Sequence, residues 1–255
     1  MLVTLSFLAL LSVSPSDAKG PLRVLCFGDS LTAGLVSRNR FSPYADTLAS
    51  SLEPCNTCVA GVPLESAHAM PPRLAQLIVE QGGDFDAAIV IGGSNDLWRG
   101  NPEAILQSLA ELHLQIRNLP CDCALGIGTL PPFEPDVMKW LAFTGALEKT
   151  EATRAAVNAE LRTMASRGPL GKTFIVDLAA LCRDAPAAMV RPDGLHFTAA
   201  GYSRLGELAA EQLRICLARR ESSTSVVSRA FNRRESHFQD DEWQPQSEGE
   251  SIRQR

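Results

Sequence analysis

The stretch Phe27–Gly34, Phe-Gly-Asp-Ser-Leu-Thr-Ala-Gly, marks the point where the first strand of the predicted fold ends. An apolar run from Leu22 to Phe27, interrupted by one arginine, leads directly into a glycine, an acid and Ser30. This pattern indicates a buried strand that ends in a tight turn and presents a hydroxyl group. Because open α/β sheets bind their ligands at the carboxyl ends of the strands, Ser30 is the first candidate for a reactive group.

Short apolar strands alternate with amphipathic helices from this stretch onward. The predicted strands are Leu22–Phe27, Cys55–Ala60, Ala87–Ile91, Cys123–Ile127 and Phe174–Val176. Helices are predicted at residues 43–52, 65–80, 101–118, 148–167 and 198–219, and the second is interrupted by Pro71-Pro72, so that only its part from Arg73 is regular. The alternation predicts an α/β fold, with a parallel sheet of about five strands covered on both faces by helices.

The composition divides the chain into a central domain and two unlike ends. Residues 21–220 have the size of one domain, and an apolar content of 45% over the whole chain allows a sizeable core. Residues 221–255 are polar and without periodicity, which predicts a disordered tail. The net charge of -5, with no basic cluster in the domain, does not suggest nucleic acid as a partner. We expect a monomer.

The N-terminal end resembles a secretory leader. Residues 1–13 are nearly all apolar but too few to span a membrane, so no stable membrane anchor is expected. Ser16 and Ala18 place small residues at the offsets of a cleavage site, which predicts a signal peptide over residues 1–18 and a secreted or lumenal protein. No Lys or Arg precedes the apolar run. The alternative is an intracellular protein with a frayed or misassigned N-terminus, located in the cytoplasm.

A serine hydroxyl needs a base, most often a histidine oriented by a carboxylate. Of the four histidines, His113 lies in the middle of a predicted helix and His237 in the tail, while His68 is a surface histidine or a substrate contact. His196 follows Asp193 by three residues in a loop before the last helix. This spacing can bring both side chains to one side of the loop. A solvated turn formed by Asp193 is the alternative.

Attack by an activated serine also needs donors for a developing oxyanion. Gly61 follows the second predicted strand, and Gly93 and Asn95 follow the third, all at the same sheet edge as Ser30. A backbone N–H group and an asparagine amide are suitable donors. The alternatives are that Gly61 only turns the chain and that Asn95 only starts the next loop.

Together these motifs resemble the SGNH hydrolases, also called the GDSL lipase/esterase family. Its first block is matched by Gly28–Thr32, its second-block glycine by Gly61, its third block by Gly93–Asp96 and its fifth by Asp193–His196. The resemblance extends from about residue 22 to 217. It rests on the order and separation of the four blocks, since the glycine of the second block is common by itself.

The resemblance implies a three-layer α/β/α sandwich with a flavodoxin-like strand order, 2-1-3-4-5. It implies Ser30 as nucleophile, His196 as general base and Asp193 as the residue that orients it. The oxyanion hole would consist of the Ser30 and Gly61 amides and the Asn95 side chain. It implies a small ester as the substrate. We expect no cofactor and no metal, since the chain has no metal-ligand run such as His-Glu-x-x-His.

Four of the seven cysteines, Cys55, Cys58, Cys121 and Cys123, are spaced closely enough to suggest zinc. With the implied strand order, the two pairs belong to strands about 14 Å apart, which Zn–S bonds of about 2.3 Å cannot bridge. A Cys55–Cys58 disulfide and free thiols are the remaining interpretations.

The predicted reaction is ester hydrolysis through an acyl-serine intermediate, with short acyl or acetyl esters favoured. The long connection between residues 128 and 147 carries Trp140 and Phe143, candidates for a wall or lid of the site or for core packing. The alternatives are an acyltransferase with the same triad and a non-catalytic binding domain of the same fold.

Overall fold

The structure of the chain is a computed structural model, and it describes residues 20–133, 146–184 and 189–238. Within the last range, only the backbone is described for residues 223–238. The predicted signal peptide and the residues Trp140 and Phe143 therefore lie outside the described residues.

A parallel sheet of five strands forms the centre of the fold. In chain order the strands are β1 (Leu22–Gly28), β4 (Cys55–Gly61), β5 (Ala87–Ile91), β6 (Ala124–Gly128) and β7 (Thr173–Val176). They are arranged in the order β4-β1-β5-β6-β7, which is the expected 2-1-3-4-5 order, and every neighbouring pair is parallel. The predicted α/β fold is confirmed. β1 lies between β4 and β5, so the ends of these three strands meet around Ser30.

Helices cover both faces of the sheet and complete three layers. Their bounds are α1 (Ser30–Ala33), α2 (Tyr44–Ser51), α3 (Met70–Gln81), α4 (Pro102–Arg117), α5 (Ala146–Arg167), α6 (Leu178–Asp184) and α7 (Ala199–Phe238). Short 3₁₀ helices occupy Ala67–Ala69 and Ser94–Arg99. Apolar residues of α3, α4 and α5 pack on one face of the sheet. Those of α1, α2, α6 and α7 pack on the other.

The strand residues alternate between the two resulting cores, as side chains of a strand must. Leu25 and Phe27 of β1 point into the core beneath α3 and α4, whereas Val24 and Cys26 point into the core beneath α2 and α7. All four are buried. This burial on both faces explains why β1 reads as a continuous apolar run in the sequence.

Contrary to the prediction, Pro71 and Pro72 do not interrupt α3. Met70, Pro71 and Pro72 form its first turn, and Pro71 is buried with Met70. The prediction of regularity only from Arg73 is wrong because proline disrupts a helix interior but is tolerated in the first turn, where N–H groups have no helical acceptor.

A small antiparallel hairpin after α1 was not predicted. It consists of β2 (Leu35–Ser37) and β3 (Arg40–Phe41), and Asn39 has φ 62° in the turn. The strands are too short to produce a periodic signal, so only the tertiary structure reveals them.

The last helix is much longer than predicted. α7 continues to Phe238, beyond the end predicted near Arg219 and into the segment predicted to be disordered, and residues 239–255 lie outside the described part. Between Gly206 and Pro245 the sequence contains neither glycine nor proline. A helix already nucleated on the packed core can continue through such a segment, since each added residue costs far less than starting a new helix.

The cysteines are free thiols throughout. Cys55 packs against the core beneath α2 and α7, and Cys58 against the opposite one. Residues three positions apart in a strand point to opposite faces, so the Cys55–Cys58 disulfide does not form. No group of three or more metal-ligating side chains occurs among the described residues. None of the described helices is long and apolar enough to cross a membrane.

Candidate active site

Ser30 lies where β1 ends and begins the single turn of α1. The N-cap of this turn is Asp29, whose Oδ1 accepts a hydrogen bond of 2.9 Å from the Leu31 N–H. Gly34 ends it in a left-handed conformation, with φ 74°. The Ser30 N–H is one of the first amides of a helix and has no acceptor within that helix. The strand, the cap and the short helix thus hold the Ser30 hydroxyl at the carboxyl edge of the sheet.

Gly28 is required by the close approach of two strands. A Cβ atom at this position would lie 1.8 Å from the Ile91 carbonyl oxygen at the end of β5. The Asp29 N–H donates to that same oxygen over 3.2 Å. The glycine therefore lets the ends of β1 and β5 lie side by side, immediately before the serine.

The loop of residues 190–197 carries His196 and Asp193. It is closed at its base by a bridge between Val190 and Phe197 and by the hydrogen bond from the Arg191 N–H to the His196 carbonyl, 2.8 Å long. Within the loop, Asp193 Oδ1 accepts hydrogen bonds from the N–H groups of Leu195 (3.1 Å) and His196 (2.9 Å). These bonds fix the carboxylate beside the imidazole, as an Asx turn does.

The structure brings the three predicted residues of the triad together. His196 Nε2 lies 2.9 Å from Ser30 Oγ, and His196 Nδ1 lies 3.1 Å from Asp193 Oδ2. With the proton on Nδ1, the imidazole donates to the carboxylate, and Nε2 accepts from the serine hydroxyl. Ser30 is 4% exposed, so its hydroxyl faces the imidazole with little competition from water.

The charge on Asp193 is maintained by its partners. Burial acts to raise the pKa of Asp193, but the N–H groups of His196 and Leu195 and the imidazole of His196 outweigh it, and the pKa lies below its ordinary value. A residue that the sequence did not identify, Arg191, also donates to Asp193 Oδ2. Both Arg191 and His196 thus contact one carboxylate oxygen. No sequence signal distinguishes Arg191 from an ordinary loop arginine.

Asp29 has the opposite electrostatic environment. It is fully buried, and this burial raises its pKa to about 7, against the effect of the N–H groups of Leu31 and Ser94. Among the described contacts its role is the cap of α1, which agrees with its interpretation as a scaffold residue rather than the acid of the triad.

The predicted oxyanion donors lie at the ends of β4 and β5. A Cβ atom at Gly61 would lie 2.2 Å from the Ala33 nitrogen, so only glycine lets β4 approach α1 this closely. The hydrogen bond to the Gly28 carbonyl comes from the Val62 N–H and not from the Gly61 N–H. β4 has no neighbour on its other side within this sheet, which leaves that N–H outside the strand ladder.

Asn95 is in the 3₁₀ helix after β5, and its Nδ2 donates a 2.9 Å hydrogen bond to the Glu65 carbonyl. This bond uses one of the two N–H bonds of the amide. The neighbouring Asp96 has a supporting role, because its Oδ2 accepts from the Ala67 N–H over 2.7 Å. Together the two residues connect the loop after β5 to the loop after β4.

Neither His68 nor His113 has a described hydrogen bond to the residues of the triad. His68 is exposed, and its Nδ1 lies 2.9 Å from Ser66 Oγ. His113 is buried in α4, where burial lowers its pKa to about 4. The side chain of His237 is not described.

A linked serine hydroxyl, imidazole and carboxylate on a three-layer α/β/α sandwich define a serine hydrolase. The chain belongs to the GDSL-like lipase/acylhydrolase family, which matches residues 26–204. It is therefore an ester hydrolase of the GDSL type.

Solved structures of similar fold cover about three quarters of this chain. The lipase Lip_vut3 from a goat rumen metagenome is 16% identical with a TM-score of 0.62, over 76% of this chain and 99% of that one. Est24, a carbohydrate acetylesterase from Sinorhizobium meliloti, is 20% identical with a TM-score of 0.59, over 76% and 98%. The aryl esterase of M. smegmatis is 22% identical with a TM-score of 0.56, also over 76% and 98%. No curated protein sequence matches the chain at a significant level.

Proposed function

We propose that the chain hydrolyses short acyl or acetyl esters of small molecules, with Ser30 as nucleophile and an acyl-serine intermediate. The observation that carries this proposal is the pair of contacts made by His196, 2.9 Å to Ser30 Oγ and 3.1 Å to Asp193 Oδ2. The preference for short acyl groups is supported by the likeness in fold to a protein described as a carbohydrate acetylesterase.

In the first half of the reaction, Ser30 Oγ attacks the ester carbonyl while His196 Nε2 takes the hydroxyl proton. The carbonyl π electrons move to oxygen, and the resulting oxyanion accepts hydrogen bonds from the N–H groups of Ser30 and Gly61 and from the Asn95 amide. The imidazolium is stabilised by the Asp193 carboxylate. Its Nε2 proton then passes to the alcohol oxygen as the C–O bond breaks, which leaves an acyl-Ser30 ester.

In the second half, His196 removes a proton from water, and the hydroxide attacks the acyl carbon. The tetrahedral intermediate collapses, the proton on Nε2 returns to Ser30 Oγ, and a carboxylic acid leaves. Each half uses one proton transfer to His196 and one from it, so the enzyme returns to its starting state.

The test combines labelling with turnover. The purified chain is treated with a fluorophosphonate probe and the adduct is mapped, and the unlabelled chain is assayed on p-nitrophenyl esters from acetate to decanoate. We expect the adduct on Ser30 and the highest kcat/KM with acetate or butyrate. An adduct elsewhere, or no turnover of any ester, would contradict the proposal. Product analysis with added alcohol separates hydrolysis from acyl transfer, because a transferase yields a new ester.

We also propose that the chain is secreted after removal of residues 1–18. The nearly continuous apolar run of residues 1–13 and the small residues at Ser16 and Ala18 support this. Expression in a secretory host should give an extracellular protein that begins at Lys19. Retention of the intact N-terminus inside the cell would contradict it.

A further inference from the structure

The guanidinium group of Arg73, in the first turns of α3, donates hydrogen bonds at two strand ends. Its Nη1 lies 3.1 Å from the Ala60 carbonyl oxygen of β4, and its Nη2 lies 3.0 Å from the Gly28 carbonyl oxygen of β1. Its Nε and Nη2 also form a two-pronged ion pair with Glu65, at 2.7 and 2.5 Å. We propose that Arg73, together with Glu65, is a positioning residue that holds the oxyanion donors in place. This inference rests on the proposed function.

The bond to Ala60 acts on the donor of Gly61 directly. The Ala60 carbonyl and the Gly61 N–H belong to the same peptide group, which is planar and rigid. A cation that donates to the carbonyl oxygen therefore fixes the direction of the N–H bond. It also draws electron density toward the oxygen, which makes the N–H a stronger donor, and this effect is larger in a partly buried site.

The bond to Gly28 joins the strand that carries the nucleophile. The same carbonyl oxygen accepts from the Val62 N–H at 3.0 Å, so it ties β1 to the residue that follows Gly61. Since Gly28 precedes Ser30 by two residues, one guanidinium group sets the distance between the ends of β1 and β4. The Ser30 and Gly61 amides follow these two strand ends, so their relative position depends on this separation.

The ion pair with Glu65 connects Arg73 to the third oxyanion donor, the Asn95 amide. The backbone carbonyl of Glu65 accepts the 2.9 Å hydrogen bond from Asn95 Nδ2, so the position of Glu65 orients the Asn95 amide. Arg73 holds the Glu65 carboxylate, which is only 8% exposed. All three donors thus depend on one side chain whose described hydrogen bonds go to Glu65, Ala60 and Gly28 and not to the triad.

Stability alone does not account for this pair. Buried ion pairs contribute little net stability, because removing both charges from water costs about as much as their attraction returns. The Arg73 guanidinium also stacks on the buried ring of Phe27, at 4.0 Å from its centroid, which fixes its plane. A second arginine–glutamate pair is formed by Arg154 and Glu151 on α5. Its arginine is about as buried as Arg73, 17% against 23% exposed, and has no described hydrogen bond to a strand end, so it serves as a control.

The experiment compares Arg73→Met, Arg73→Lys and Arg154→Met with the unmodified chain. Methionine keeps the apolar stem over Phe27 and removes every donor. We expect Arg73→Met to lower kcat on p-nitrophenyl acetate about 100-fold, as a displacement near 1 Å does, with KM within about threefold. Binding of a trifluoromethyl ketone, which forms a tetrahedral oxyanion on the serine, should weaken by the same factor as kcat/KM. Arg73→Lys should recover part of the loss.

The controls separate a local effect from a general one. Arg154→Met should keep kcat within about threefold of the unmodified chain, since its partner lies on the same helix. A Ser30→Ala variant that remains active would overturn the proposed function itself. An inactive Ser30→Ala with an Arg73→Met variant of unchanged kcat and unchanged ketone binding would overturn only the role of Arg73.

If Arg73→Met does not fold, Arg73→Lys still tests the proposal. Arg73→Lys keeps the charge and the ion pair but replaces the planar fork by a single point of donation. A kcat at least about tenfold lower at unchanged KM supports the positioning role in that variant. A kcat equal to that of the unmodified chain refutes it.

Discussion

The hydroxyl oxygen of Ser30 and Nε2 of His196 lie 2.9 Å apart, although 166 positions separate the two residues in sequence. The contact joins the turn after the first strand to the loop before the last helix, and the other four strands of the sheet lie between them in the chain.

This contact predicts that the two residues act as a unit. Ser30→Ala and His196→Ala should each abolish measurable turnover of p-nitrophenyl acetate, and the double variant should be no worse than either single one, because each change removes the same activated nucleophile. His68→Ala, with its exposed imidazole, is the control and should retain activity. Turnover is measured on chains whose folding is verified by circular dichroism. A double variant whose loss of turnover equals the combined losses of the two single variants would show that Ser30 and His196 act independently.

The amide of Asn95 should be required for the rate rather than for substrate binding. Asn95→Ala should lower kcat about 100- to 1,000-fold, the usual cost of one oxyanion donor, with a small change in KM. Asn56→Ala, at an exposed position of β4, controls for loss of an asparagine elsewhere. Steady-state kinetics decide the matter, and a kcat within a few-fold of the unmodified chain would remove Asn95 from this role.

Arg191 should hold the Asp193 carboxylate in position for His196. Its guanidinium donates to the same Asp193 oxygen that lies 3.1 Å from His196 Nδ1. Arg191→Gln should lower kcat on p-nitrophenyl acetate about tenfold with KM within about threefold, because a charge-assisted hydrogen bond no longer fixes the carboxylate. Arg183→Gln, at an exposed arginine of α6, should leave both constants unchanged. An Arg191→Gln variant with the kcat of the unmodified chain would show that this contact does not position Asp193.

Buried Asp29 should make the fold less stable as pH rises. Burial raises its pKa to about 7, from 3.8 for the free side chain, so between these values the folded chain holds a proton that the unfolded chain has released. Its contribution is fully present below about pH 4 and is lost as pH rises through about 7, by at most about 1.4 kcal/mol for each pH unit. Asp29→Asn removes this titration.

The measurement is the melting temperature of both chains at pH 4.5, 6 and 8. The difference between Asp29→Asn and the unmodified chain should move in favour of the variant as pH rises. Using the difference cancels the titration of all other groups. A difference that does not change between pH 4.5 and 8 would show that Asp29 is not protonated in the folded chain.

Two segments at the end of the chain, residues 218–222 and residues 223–255, should differ in their contribution to stability. Deletion of residues 223–255, which are polar in composition, should leave activity and melting temperature nearly unchanged. Deletion from Ala218 also removes Arg220, which donates to the Asp122 carbonyl at 2.7 Å and pairs with its carboxylate at 2.5 Å. We expect this second deletion to lower the free energy of unfolding by about 1 kcal/mol, which corresponds to a fall in melting temperature of about 2–4 °C in a domain of this size. Two outcomes would contradict this prediction: equal melting temperatures for the two truncated chains, or a large fall on deletion of residues 223–255 alone.

Local patterns were sufficient to predict the five strands of the sheet and the long helices between them. The apolar run of β1 and the Asn101-Pro102 start of α4 depend on neighbours in sequence, and the structure has both, with the Asn101 side chain accepting from the Ala104 N–H at 3.0 Å. The motif blocks also identified Ser30, Gly61, Asn95 and the Asp193–His196 loop as the positions worth testing. Proline in the first turn of α3 and the extension of α7 were mispredicted, because both depend on where a helix is nucleated.

The sequence by itself determined the alternation of strands and helices, the strand-end position of the serine, and the resemblance that names the family. Only the tertiary structure decided which side chains meet. The order and register of the strands bring His196 to Ser30 and bring Arg73 to the carbonyl groups of Gly28 and Ala60. The physical reason is that periodicity and capping act over a few residues, whereas these contacts cross between elements and exist only once the sheet has assembled.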